Sequence, residues 1–168
     1  MNVLEYFSPS GIHVFAHRGL VSEKAAENTL KAFQDALDAG ATHLETDVQA
    51  TKDGVAILFH DNTLKRVAGI DSDVKNLTFE QVRAIALPGG PILSLQEALE
   101  KLPDARFNLD IKRANAIEPT VRAIIAASGQ DRVLISSFSD ARRRKAMRLL
   151  RSSASSVAIG LGLAKFLL

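Results

Sequence analysis

The chain has no cysteine, no tryptophan and a single tyrosine. Without cysteine there is no disulfide framework, no thiolate zinc site and no cysteine nucleophile, and the redox compartment is left open. No apolar run reaches the roughly 18 residues that a spanning helix needs. The opening MNVLEYFSPSG lacks a basic stretch followed by an apolar one, so neither a signal peptide nor stable membrane insertion is expected and a cytoplasmic location is the default. Neither GxGxxG nor GxxxxGK[ST] occurs, which removes the phosphate loops of nucleotide-binding sheets.

What is present is one domain's worth of chain, residues 1–168, long enough to bury a core without staples. Its formal charge of +2 hides an asymmetry: residues 1–112 carry 11 Lys/Arg against 16 Asp/Glu, and residues 113–168 carry 10 against 3. Most of the basic excess lies in ARRRKAMRLLR, residues 141–151. Ala146, Met147, Leu149 and Leu150 form the apolar stripe of an ordinary helix there, and no aromatic residues interleave the arginines, so a solvated helix face is expected rather than a nucleic-acid site.

Short apolar runs bounded by polar or glycine signals read as six strands: HVFAHRG, HLETDV, GVAILFHD, RFNLDIK, RVLISSF and SSVAIGL. Helical spacing lies between most of them, in Leu30, Phe33 and Leu37, in Leu95, Ala98, Leu99 and Leu102, and in Val121, Ile124 and Ile125. Thr78 with Gln81 and Ser94 with Glu97 have capping-box spacing, and Gly40 and Gly129 stand where left-handed helix ends belong. Strand alternating with helix gives α/β with a parallel sheet. By length alone an open sheet fits better than an eight-unit barrel of about 250 residues. The stretch from Asp61 to Leu77 has no clear pattern, and a loop of that length is a candidate cover for a site.

Polar residues, most of them ionisable, collect at the strand ends: His17 and Arg18, Glu45 and Asp47, His60 and Asp61, and Asn108, Asp110 and Lys112. Taken singly each has a bland explanation, as a satisfied histidine, a plain Asp110–Lys112 ion pair, or carboxylates on a solvated edge strand. Together they have the pattern of a site at the carboxyl ends of α/β strands. Side-chain alternation places Glu45 with Asp47 on one face, and Asn108, Asp110 and Lys112 on one face. Asp53-Gly54 as a two-residue hairpin turn would set Lys52 opposite Val55 and Asp47 opposite His60. Glu45, Asp47 and Asp110 would make a hard oxygen site for Mg²⁺ or Ca²⁺, Arg18 and Lys112 would meet an anion, and two histidines would serve as acid and base. That combination suggests phosphodiester cleavage.

HRG at 17–19, ENT at 27–29, ETDVQATKDG at 45–54, HD at 60–61, NLDIK at 108–112 and SSF at 136–138 closely resemble the glycerophosphodiester phosphodiesterases. The resemblance implies a (β/α)₈ TIM-type barrel, of which about six strands are present and the C-terminal ones missing. It implies hydrolysis of glycerophosphodiesters to glycerol 3-phosphate and an alcohol, with His17 and His60 as the acid–base pair in either order. Glu45 and Asp47 would be metal ligands, Asp110 the third carboxylate where glutamate is usual, and Arg18 and Lys112 the phosphate-binding pair. Glu27 would lie on the rim as a substrate-binding residue, and Ala26 replaces the usual proline. An unclosed barrel would leave an edge and the apolar tail GLGLAKFLL open to self-association. The alternatives are a catalytically silent anion-binding or interaction module and, among enzymes, a lysophospholipase D.

Overall fold

The structure is a computed structural model that describes residues 6, 7 and 11–153. Four of the five strands of its main sheet are parallel, in the order β1, β2, β6, β7: β1 (Phe15–His17), β2 (His43–Ala50), β6 (Arg106–Ile111) and β7 (Val133–Ser136). The expected strand SSVAIGL and the apolar tail lie outside the described residues. Helices α1 (Leu30–Asp38), α4 (Leu95–Lys101), α5 (Ile117–Ala126) and α6 (Asp140–Ser153) accompany these strands. Two short helices, α2 (Lys65–Ala68) and α3 (Phe79–Arg83), and a small hairpin of β4 (Ala86–Leu87) with β5 (Gly90–Pro91) lie in the long connection that follows β2.

The two faces of the sheet divide by parity. Leu44, Val48, Phe107, Leu109, Ile111, Val133 and Ile135 turn to the buried core with Phe33, Ala36, Leu99, Ile124 and Leu150 of the helices. The other face is layered by the register. Phe15, His43 and Arg106 share its lowest level, His17, Glu45, Asn108 and Leu134 the next, and Asp47, Asp110 and Ser136 the level above. The alternation read from the sequence therefore sorts most apolar residues to the helices and the ionisable ones, with Phe15 and Leu134 among them, to the opposite face.

The helix signals correspond to real ends. Thr29 caps α1, and both Ser94–Glu97 and Thr78–Gln81 form reciprocal capping boxes. After α1, the Gly40 and Ala41 N–H groups donate to Leu37 and Ala36, with Gly40 at φ +96 as expected of a left-handed cap. Gly129 departs from the expectation. Ser128 takes the left-handed conformation at φ +48, and Gly129 follows it at φ −89. Its N–H donates to Ile124, and a Cβ there would come within 3.2 Å of the Leu99 side chain, so close packing accounts for the glycine. In α6 the buried residues are Ala146, Met147 and Leu150, while Arg144 stays exposed, as the stripe implied.

GVAILFHD is no member of the parallel sheet. Its ordered part, β3 (Ala56–Leu58), runs antiparallel to β2 and pairs Val48 with Leu58 and Ala50 with Ala56. The turn is one residue longer than expected: Thr51 faces Val55 across Lys52, Asp53 and Gly54, with Gly54 left-handed at φ +77. Asp53 drives the change, because its carboxylate accepts from the Thr51 hydroxyl at 2.6 Å and from the Phe79 N–H. The slip brings Phe59, not His60, opposite Asp47, through a Phe59 N–H to Asp47 carbonyl bond of 3.0 Å. Ile57 and Phe59 then join Leu64, Val74, Val82 and Ile92 in a second, smaller core.

Candidate active site

The ionisable layers of the sheet face carry a connected set of charges. His17 Nε2 lies 3.7 Å from Glu45 Oε2, its strand neighbour by register. One level up, Lys112 Nζ sits 2.6 Å from both Asp47 Oδ1 and Asp110 Oδ2. Register explains the triad: Asp47 pairs with Asp110 on adjacent parallel strands, which forces two carboxylates side by side and needs a cation between them. Arg18 supplies a second positive charge, with Nε 3.0 Å from Asp47 Oδ2. That contact is electrostatic, because the N–H is not aligned for a hydrogen bond and both atoms otherwise lack a hydrogen-bond partner.

Arg18 reaches Asp47 from an unusual backbone. It is left-handed at φ +60, and Asn28 across from it is left-handed at φ +59. The strain is held by an Arg18 N–H bond to Glu45 O, an Asn28 N–H bond to Arg18 O, and a Thr46 hydroxyl bond to Asn28 Oδ1 at 2.8 Å. Gly19 follows at φ +84, with no space for a Cβ against Ala32.

His60 enters from the hairpin side. Gln49, on the same strand face as Glu45 and Asp47, donates its amide to the His60 and Asp61 carbonyls at 3.1 and 3.0 Å. The His60 ring meets Asp61 through Nδ1 at 2.6 Å. Arg66 of α2 then donates to Asp61 and forks onto Glu27, whose other contact is Arg18. On the far side Arg113 forks onto Asp73 at 2.8 and 3.0 Å and donates to Asn62 at 3.0 Å. The 61–77 stretch is therefore fastened from two sides, and Leu64 and Val74 bury beneath it.

Burial and charge act together on these groups. Removal from water, and then the neighbouring Asp47 and Asp110 charges, push the Glu45 carboxyl up to about 7, against the pull of Lys112 and Arg18. Burial opposes ionisation of Glu27 and Asp61 too, but their bonds to Arg66 prevail and hold both below the usual carboxylate range.

Residues 17–159 match the glycerophosphoryl diester phosphodiesterase family. The chain belongs to this family. It is 44% identical over 156 residues to a Mycobacterium tuberculosis protein named a probable glycerophosphodiester phosphodiesterase 2, covering 92% of this chain and 59% of that one. A solved glycerophosphodiester phosphodiesterase of Thermotoga maritima has a TM-score of 0.72 at 32% identity, with 82% of this chain and 59% of that chain covered. An Oleispira antarctica phosphodiesterase solved in complex with the product sn-glycerol-3-phosphate has a TM-score of 0.75 at 27% identity, with 83% and 63% covered. The chain spans 59% and 57% of two curated relatives' lengths. The fold is the TIM-type barrel of the glycerophosphoryl diester phosphodiesterases, with four parallel strands and an unclosed sheet among the described residues.

Of the eight residues singled out from the sequence of this family member, seven (His17, Arg18, Glu27, Glu45, Asp47, Asp110 and Lys112) contact one another directly, and His60 reaches Glu27 through Asp61 and Arg66. Glu27, Arg18, Asp47, Lys112 and Asp110 run in series, and Glu45 with His17 forms a separate pair. Sequence reasoning missed Gln49, Arg66, Asp73 and Arg113. Gln49 was signalled by its parity with Glu45 and Asp47; the others have no periodic signal, since their partners lie up to 51 residues away.

A hard divalent cation suits the donors in kind. Glu45 Oε2 and Asp110 Oδ1 are buried oxygens without hydrogen-bond partners, and carboxylate oxygen is the ligand that Mg²⁺ and Ca²⁺ prefer. Among the described residues no three histidine or carboxylate groups converge as a finished cage, and Lys112 stands between the two aspartates.

Proposed function

We propose that this chain acts as a glycerophosphodiester phosphodiesterase, releasing glycerol 3-phosphate and an alcohol. The observation that carries the reading is the buried carboxylate group with oxygens lacking partners, flanked by Arg18 and Lys112, with the His17 imidazole beside Glu45 and the His60 imidazole held by Asp61. Sequence identity of 44% to a protein named for this activity supports it. Glu45, Asp47 and Asp110 would hold a divalent cation, Mg²⁺ or Ca²⁺, which supplies Lewis-acid stabilisation of the phosphoryl oxygens.

Arg18 and Lys112 offer donors to the anionic phosphodiester, and both are already fixed by carboxylates, so little reorganisation accompanies charge build-up. His17, exposed and beside Glu45, takes a proton from the nucleophile, either water or the adjacent glycerol hydroxyl. The nucleophile's oxygen bonds to phosphorus as the bond to the leaving oxygen breaks, and His60 protonates that leaving alcohol. Where the glycerol hydroxyl attacks, the cyclic phosphate so formed is then opened by water, with the two histidines exchanging roles, to give glycerol 3-phosphate. The reverse assignment of the two histidines is chemically equivalent. Phe138, exposed and 5.4 Å from Lys112 Nζ across its ring, adds an apolar surface beside the phosphate-binding lysine. An apolar surface there also suits the lysophospholipid substrate of a lysophospholipase D. The Lys112 bridge between Asp47 and Asp110 favours a second reading, an anion-binding module that does no chemistry. In either reading, the sheet edges at β1 and β7 are surfaces for closure by further strands or for self-association.

The test is hydrolysis of glycerophosphocholine with Mg²⁺ or Ca²⁺, with and without chelator, by the chain and by His17→Ala. Expected are chelator-sensitive turnover and a loss of about 10²- to 10⁴-fold in the variant. Turnover that survives chelation would refute the cation, equal turnover by the variant would refute the histidine role, and no turnover by folded protein would favour the silent module.

A further inference from the structure

Arg66 stands outside every residue set so far given a role in the chemistry, yet it is the point where three segments of the site meet. It sits on α2, a four-residue helix within the 61–77 stretch. Its Nε donates to Asp61 Oδ2 at 2.5 Å, while Nη1 and Nη2 donate to Glu27 Oε2 and Oε1 at 3.0 and 2.6 Å. A guanidinium can satisfy two carboxylates in one plane, which an ammonium cannot do with the same fixed geometry.

Each carboxylate passes that constraint onward. Asp61 is ionised and therefore only accepts, so the His60 nitrogen 2.6 Å away, Nδ1, must carry the proton between them. His60 Nε2 is left as the nitrogen that faces other partners. Glu27, on the other side of Arg66, is 3.4 Å from Arg18 Nη1, and Arg18 in turn rests on Asp47. The chain of contacts runs His60, Asp61, Arg66, Glu27, Arg18, Asp47, Lys112, Asp110. Removal of Arg66 cuts it in the middle and leaves two carboxylates without their shared donor.

We propose that Arg66 is a positioning residue, ordering His60 through Asp61 and Arg18 through Glu27, so that placement of the 61–77 stretch and readiness of the acid–base and phosphate-binding groups are one event. The inference rests on the phosphodiesterase reading for its consequence in turnover. The ordering itself stands on the contacts alone.

The experiment compares the chain with Arg66→Met and Arg66→Lys. Ring ¹⁵N shifts of His60, assigned with His60→Gln, report the tautomer of the neutral imidazole. The Nδ1-protonated form is expected to dominate in the parent and to give way to a mixture in Arg66→Met. Arg66→Lys should recover part of the parental ratio, because it returns the charge without the fork. With glycerophosphocholine, kcat/KM is expected to fall about 10- to 100-fold in Arg66→Met and less in Arg66→Lys. An unchanged tautomer ratio in folded Arg66→Met, or equal kcat/KM in all three proteins, would overturn the proposal. Absence of turnover in the parent would instead count against the phosphodiesterase reading, and the tautomer comparison would still decide whether Arg66 orders His60.

Discussion

Arg18 and Gly19 illustrate how single positions carry the site. A left-handed arginine costs on the order of 1–2 kcal/mol in backbone strain, and it is tolerated because its own N–H and carbonyl are both bonded to neighbouring segments. Gly19 makes the turn possible: at φ +84, a Cβ would lie 2.7 Å from the Ala32 carbonyl carbon and 2.8 Å from its Cβ. Gly19→Ala combines left-handed strain with a backbone collision, so it should destabilise by about 3 kcal/mol, with a fall of roughly 6–12 °C in Tm on calorimetry. A fall under about 1 °C would contradict the close approach. The sequence HRG marks a glycine here, yet its neighbour's left-handed conformation is invisible to it, because an arginine is seldom found there and only the surrounding bonds impose it.

At the scale of elements, the helix stripes and N-terminal caps follow from their sequences, whereas the helix end at Gly129 and the connections do not. A capping box is a matter of residues three apart, and the α4 and α3 boxes are both complete. The hairpin register depended on Asp53, whose carboxylate bonds to Phe79 across 26 residues, so local turn preference gave the wrong count by one. The 61–77 stretch reads as structureless because what orders it is distant: the Arg66 and Arg113 forks and a small core built with Val82 and Ile92. Arg113→Met removes three donors from Asp73 and Asn62 and leaves the sheet intact. Amide exchange and proteolysis within 61–77 should accelerate about tenfold or more, while β6 and α5 keep their protection. Uniform exchange rates across parent and variant would mean that the fork holds nothing.

The whole molecule places a costly cluster of negative charge where it can be useful. Glu45, pushed up to about 7, binds a proton in the folded state that the unfolded chain has lost above about 4.5. Its contribution to stability is therefore fully present below about 4.5 and lost as pH rises through 7, a change of about 2–3 kcal/mol after some discount for residual solvent access. Glu27 and Asp61 act in the opposite window, since their lowered values add stability above the ordinary carboxylate range that is lost as pH falls. A divalent cation competes with the Glu45 proton. Thermal unfolding with chelator should fall between pH 5 and pH 8, and Mg²⁺ should raise Tm more at pH 8 than at pH 5. An equal or smaller gain at pH 8 would argue against a cation at these carboxylates. Among the described residues no helix is long and apolar enough to cross a membrane.

From the sequence alone came the α/β alternation, the helix stripes and caps, and the pairing of parities that puts Glu45 with Asp47 and Asp110 with Lys112. These follow from periods of two and 3.6 residues, which are properties of the local chain. The tertiary structure decided which strands are neighbours, and so that Asp47 lies beside Asp110 with Lys112 between them. It also decided that β3 turns back against β2 and that Arg66 and Arg113 fasten the stretch after it. Contacts between residues tens of positions apart leave no periodic trace, because their geometry exists only after the core has packed.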